Sequence, residues 1–204
     1  AFAASILMLY IALRNIVSIP LPGAIATLLA SLLMLYAFFF QPETVRTIQP
    51  LPPVMRGLWF YLHTVLTALA YGALGIAGSI ALPVLSAQSQ GNQDEGSDTF
   101  GPQAKTLVDR AMAIAYVMLS LGIISGAIWA ELAWGEYWTW SIKENLTLMT
   151  WLLCTLYYHV RYRHSWRNKW AMWVPILALA TVLLNLFFTP TLLNWTRLQP
   201  LHIY

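Results

Sequence analysis

Apolar residues dominate six stretches of this chain, near 2–18, 22–40, 58–85, 108–131, 145–162 and 171–189, and polar or proline-rich segments separate them. Each run approaches or exceeds the roughly 18 apolar residues that a helix needs to cross the hydrocarbon of a bilayer. The runs are continuous and do not alternate every second residue, and lipid admits backbone only as helices or closed barrels. The pattern therefore predicts an all-α, polytopic transmembrane bundle of about six helices. Two units follow from the spacing: residues 1–57, with two N-terminal helices and a connector, and residues 58–204, with four helices and a tryptophan-rich loop over 129–145.

Composition sharpens this picture. Of 204 residues, 59% are hydrophobic and 9% charged, and the mean hydropathy is +0.62; soluble domains carry about a quarter of charged residues. The net charge of +3 is concentrated in Arg161, Arg163, Arg167 and Lys169, after the fifth run. Such clustering puts the 161–170 link in the cytoplasm and gives no sign of a nucleic-acid surface. Alternate crossings then set 41–57, 132–145 and 190–204 on the outer face, and the acidic, Gly- and Ser-rich stretch 88–98 inside as a solvated loop. The chain opens within an apolar run without an initiator Met, as a piece of a longer protein would, and that run reads as a span, since no basic segment of a cleavable signal precedes it. Cys154 stands alone, which excludes an internal disulfide, a Cys-x-x-Cys redox pair and covalent haem attachment through Cys-x-x-Cys-His; it reads as a small apolar filler.

Chemistry concentrates between the fourth and fifth runs, in Trp129-Ala-Glu-Leu-Ala-Trp-Gly-Glu-Tyr-Trp-Thr-Trp-Ser-Ile-Lys-Glu144. Trp129, Trp134, Trp138 and Trp140 suit the lipid–water interface and together suggest a flat aromatic wall for a large planar ligand. On the topology above, His63 and His202 emerge on the same side. Two neutral imidazoles flanking an aromatic wall could supply the two axial nitrogens of a haem iron. Lys143, Arg46, Arg56 and Arg197 are candidate partners for the propionates, although cations at an interface also serve simply to snorkel. His159 lies near the inner end of the fifth run, where a titratable group is costly unless paired, coordinated or facing a cavity; His164 reads as a solvated topology residue. Ser-His-Asp sets, phosphate loops and Glu-x-x-His pairs are missing from the sequence.

From about Leu58 onward these motifs resemble the haem-handling cytochrome c biogenesis proteins of the CcsA (ResC) type, which are related to CcmC. The strongest likeness is Gly126-Ala-Ile-Trp-Ala-Glu-Leu-Ala-Trp-Gly-Glu-Tyr-Trp-Thr-Trp140, followed by Lys143-Glu144 and Thr150-Trp151. By this resemblance His63 and His202 would be the family's two outer histidines, ligating haem iron, and His159 its histidine within the following span, at a candidate second haem site. The resemblance implies haem b, held non-covalently and in transit, presented to apocytochrome c with a CcsB-type partner in a bacterial plasma membrane or a thylakoid membrane. The chain would then be a component of a cytochrome c haem-lyase rather than a stand-alone enzyme. The family's Trp-Asp-Pro-Lys-Glu is replaced here by Trp140-Ser-Ile-Lys-Glu144. Loss of the Asp removes its charge and hydrogen bonds, and loss of the Pro frees the backbone. That change motivates an alternative: a non-catalytic, family-derived subunit of a larger respiratory or photosynthetic membrane complex. A transporter for another amphiphile is weaker, because no inverted repeat or broken helix pair stands out.

Overall fold

The computed structural model describes residues 53–89, 101–162 and 170–195, together with Ile11. Four long helices account for nearly all of them: α1 (Leu58–Ser89), α2 (Gly101–Trp134), α3 (Ile142–Tyr162) and α4 (Trp170–Trp195), with a 3₁₀ turn at Pro53–Met55 ahead of α1. All described elements are helical, as expected. The expected helices over 2–18 and 22–40 lie outside the described residues, so four of the six are seen. Two helical segments, Leu58–Ser86 and Ala104–Trp134, are long and apolar enough to cross a membrane.

The helices run up and down, each antiparallel to its neighbours. α1 packs on α2 and α4, and α3 packs on α4 and, more sparsely, on α2. Each helix supplies one buried stripe at the 3–4 residue spacing of a helical face. On α1 this is Ala70, Ala73, Leu74, Ala77, Ala81 and Val84; on α2 it is Ala104, Leu107, Val108, Ala111, Ala115 and Leu119. Ala171, Val174, Ala178 and Val182 form the stripe of α4, while Cys154 and Tyr157 on α3 are fully buried. Alanines predominate because small side chains let helix backbones approach closely, which is how packing energy is gained where lipid offers no hydrophobic drive. Gly78 is such a point: a Cβ there would stand 2.6 Å from Leu179 Cδ2 of α4. Cys154 sits in this core, which bears out its reading as a filler.

Polar groups inside the bundle are bonded between helices. Asn185 of α4, nearly buried, donates through Nδ2 to Thr147 Oγ1 at 3.1 Å and to Tyr71 Oη and the Lys143 carbonyl at 3.3 Å. Thr150 and Thr181 hydroxyls meet at 2.8 Å, and the Trp151 indole donates to Ser120 Oγ at 2.9 Å. These bonds fix the rotation of α3 against its neighbours, because a polar group left unpaired in an apolar core costs several kcal/mol.

Helix ends differ from the apolar runs that predicted them. α2 starts at Gly101 and ends at Trp134, beyond both limits of 108–131. Its first turns carry Lys105, which the apolar run leaves out, ahead of Asp109 and Arg110 at the run's edge. As a result Trp129 and Trp134 belong to the last turns of α2, and the connection to α3 shortens to residues 135–141.

Candidate functional site

His63 lies in the second turn of α1, and its Nδ1 is 2.8 Å from the carbonyl oxygen of Gly122 on α2. A carbonyl can only accept, so Nδ1 carries the hydrogen and the neutral ring keeps its lone pair on Nε2. Two glycines on α2 permit this approach. A Cβ on Gly126 would fall 2.5 Å from His63 Nδ1, and one on Gly122 would fall 2.9 Å from Thr67 Cγ2. The remaining wall is Trp129, whose ring stacks on the imidazole at 6.2 Å between centroids and 13° between planes. Trp129 is itself fastened by its indole N–H, which donates to the Val54 carbonyl at 2.9 Å and so ties the 3₁₀ turn to the end of α2.

The tryptophans do not form the flat wall expected from their number. Trp129 and Trp134 meet edge to face at 76°, and Trp138 and Trp140 do so at 79°. This correction has a physical reason: the ring quadrupole favours edge-to-face contact over coplanar rings, and the four indoles come from two elements with different directions. Trp129 works as a packing residue beside His63, whereas Trp140 is 69% exposed at the tip of the connection. The buried indole Nε1 of Trp138 has no hydrogen-bond partner among the described residues.

The connection is capped at both ends. Gly135 takes a left-handed φ of +80° and its N–H donates to the Glu131 carbonyl at 2.8 Å, closing α2 in the manner that glycine suits. At the other end Ser141 and Glu144 form a capping box for α3. Ser141 Oγ accepts from Glu144 N at 3.4 Å, and Glu144 Oε2 accepts from Ser141 N at 2.9 Å. The same carboxylate oxygen also accepts from Thr139 N at 2.9 Å and Thr139 Oγ1 at 3.0 Å. Between these anchors Trp140 adopts a φ of +58°, unusual for a residue with a bulky side chain, and its carbonyl accepts from Asn145 Nδ2 at 2.8 Å. The Ser141-Ile142 pair therefore does not loosen the turn. Ser141 supplies the cap, and the carboxylate that organises the turn comes from Glu144.

His159 is exposed on α3 at the opposite end of the bundle. Two residues on, Arg161 forks onto Asp109 of α2, Nε to Oδ1 and Nη2 to Oδ2 at 2.9 Å each, and the buried Tyr157 hydroxyl donates to the same Oδ1 at 2.5 Å. Asp109 precedes Gly122 by thirteen residues of α2, which places this cluster roughly 20 Å below His63 at 1.5 Å of rise per residue. His63 and His159 thus stand at separate levels. Lys143 is exposed beside the capped turn, and Arg56 lies in the bend before α1. His202, Arg46, Arg197 and His164 lie outside the described residues. Sequence reasoning missed Gly122 as the acceptor for His63, Gly126 as its notch and the Ser141–Glu144 capping box, although it offers Glu144, with Glu131 and Glu136, as a group to orient the loop or a histidine. Signals existed: Gly122 and Gly126 have the Gly-x-x-x-Gly spacing of close helix pairs, and Ser141-x-x-Glu144 is the capping-box pattern.

Residues 1–195 match the family described as cytochrome C assembly protein. The chain belongs to this family. Among similar proteins, the cytochrome c biogenesis protein CcsA of Synechococcus sp. (strain RCC307) is 28% identical over 189 residues, covering 80% of this chain and 61% of its own. CcsA of Prochlorococcus marinus (strain MIT 9303) is 28% identical over 195 residues, covering 81% of this chain and 61% of that protein. CcsA of Chlamydomonas reinhardtii is 33% identical over 142 residues, or 68% of this chain and 40% of that protein. The chain thus spans about three fifths of the length of the cyanobacterial relatives. It is a CcsA-type membrane protein, in keeping with its two long apolar helices.

Proposed function

We propose that this chain handles haem b for cytochrome c assembly, receiving it as cargo and presenting it, with the tryptophan loop on the outer or lumenal face, to apocytochrome c. The observation that carries the reading is the orientation of His63. A histidine whose Nδ1–H is committed to a backbone carbonyl has a fixed tautomer with Nε2 as the ligating nitrogen, the arrangement that protein groups behind metal-ligating imidazoles provide. Nothing in the packing of α1 on α2 requires an imidazole at this position, yet Gly126 is notched to hold one.

His63 Nε2 would be one axial ligand. α4 ends at Trp195 on the loop side of the bundle, seven residues before His202, which supports His202 as the second. The exposed Trp140 would lie against the apolar macrocycle, and Lys143 is suited to a propionate at the rim by a charge-assisted bond. The chain's residues then bind, orient and shield, while the thioether chemistry belongs to haem and the acceptor thiols. His159, at the opposite end of the bundle, would serve a separate haem position rather than share this one. A CcsB-type partner in a bacterial plasma or thylakoid membrane fits the same reading.

The alternative, a family-derived subunit without this role, drew on the Ser141-Ile142 change. The capped turn weakens that motive, since Ser141 starts the helix in place of the Asp and Glu144, common to both motifs, holds the turn. The test is an optical spectrum of the full chain purified in detergent after expression with ample haem. Wild type should carry a haem band that is lost or shifted in His63→Ala; a colourless wild-type protein would end the delivery reading.

A further inference from the structure

We infer that Glu144 is a positioning residue for Trp140, acting through the backbone of residues 139–141 to present that indole to the planar ligand. The inference rests on the haem-handling reading above. It begins from an economy of atoms: one oxygen, Glu144 Oε2, gathers the Thr139 N–H, the Thr139 hydroxyl and the Ser141 N–H. A capping box needs only the last of these. The other two bonds reach past the helix start and pull Thr139 toward it, so that residue 140 must arch outward between its two tethered neighbours.

The arch is the second observation. Trp140 holds a left-handed φ of +58°, a conformation that crowds any side chain with a Cβ. Asn145 clamps its carbonyl from the first turn of α3 at 2.8 Å. All this produces an indole that is 69% exposed and touched edge-on by Trp138. Strain that ended in burial would be structural. Strain that ends in an exposed aromatic ring is spent on presentation, and glycine or asparagine would occupy position 140 more comfortably if only the turn mattered. Glu144 belongs to α3, a different element from the helix α1 that carries His63, so it would influence the ligand through Trp140 alone.

The test is a double-mutant cycle on the full chain in detergent, reading haem affinity by titration and amide exchange at Thr139 and Ser141 by mass spectrometry. Trp140→Ala and Glu144→Ala should each weaken haem binding by about tenfold. Together they should do no worse than the stronger single change, because Glu144 acts through Trp140. Glu144→Gln, whose amide oxygen still accepts, should retain most of the affinity. Exchange at residues 139 and 141 should quicken in Glu144→Ala and stay as in wild type in Trp140→Ala. Losses that multiply in the double variant, or a Trp140→Ala protein that binds haem like wild type, would overturn the inference and leave Glu144 a cap alone. A wild type that takes up no haem would remove the delivery reading instead, and unchanged exchange in Glu144→Ala would still refute the tether.

Discussion

Adding one methyl group at Gly126 tests the site at its narrowest point. An alanine Cβ there would stand 2.5 Å from His63 Nδ1 and 2.8 Å from Cε1, whereas ordinary carbon contacts begin near 3.5 Å. The imidazole must therefore retreat by about 1 Å, twice the roughly 0.5 Å tolerance of a preorganised ligand set. It cannot simply swing aside, because Trp129 stacks on one face and the Gly122 carbonyl holds Nδ1. Losing that hydrogen bond costs about 1 kcal/mol and crowding costs about 1–3 kcal/mol. Alanine returns close to 1 kcal/mol as the better helix former, which leaves a net loss of about 1–3 kcal/mol. Gly126→Ala should thus fold with wild-type helix content and a melting temperature lowered by several degrees, while haem affinity falls about tenfold or more and the optical band shifts as the candidate ligand nitrogen is displaced. Circular dichroism and haem titration on the same sample separate the two effects. A Gly126→Ala protein with the wild-type spectrum and affinity would refute the claim that this notch positions the histidine.

Two further outcomes follow from the ends of the bundle. Restoring the family's dipeptide with Ser141→Asp and Ile142→Pro should leave the stability within about 1 kcal/mol of wild type, since Asp caps as well as Ser and Pro fits the first helical position; a denaturation series showing a loss above 2 kcal/mol would contradict the capping assignment. At the far end, Tyr157→Phe removes one hydrogen bond to the Asp109 carboxylate that Arg161 also holds and should cost about 1.5–3 kcal/mol without touching haem binding at His63, read as a lowered melting temperature beside an unchanged titration.

Much of the fold was legible because the hydrophobic pattern records burial directly. The four described helices sit where the last four apolar runs predicted them, and their stripes repeat every three to four residues. What the pattern hid were the first turns of α2, around Lys105, and the partner of Asp109. Asp109 looks unfavourable at that depth until Arg161 is seen opposite it, and pairing across elements leaves no local trace in a sequence. The tryptophans show the converse failure. Their number and type were plain, yet ring orientation depends on backbone direction at each residue, and the left-handed turn at Trp140 is set by Glu144 from four residues away.

The site itself was half visible for a related reason. A search for chemistry finds side chains that can ligate, stack or carry charge, and so it finds His63 and Trp140. It overlooks groups that act by lacking a side chain. Gly122 contributes a carbonyl and Gly126 an absence, and both matter only because the small-residue stripes of α1 and α2 bring the backbones together first. The close packing that gives the bundle its stability is therefore also what fixes the tautomer of its candidate ligand. A larger residue on that seam near the loop end should disturb haem before it disturbs folding, whereas one near Gly78, which receives Leu179 of α4, should do the reverse.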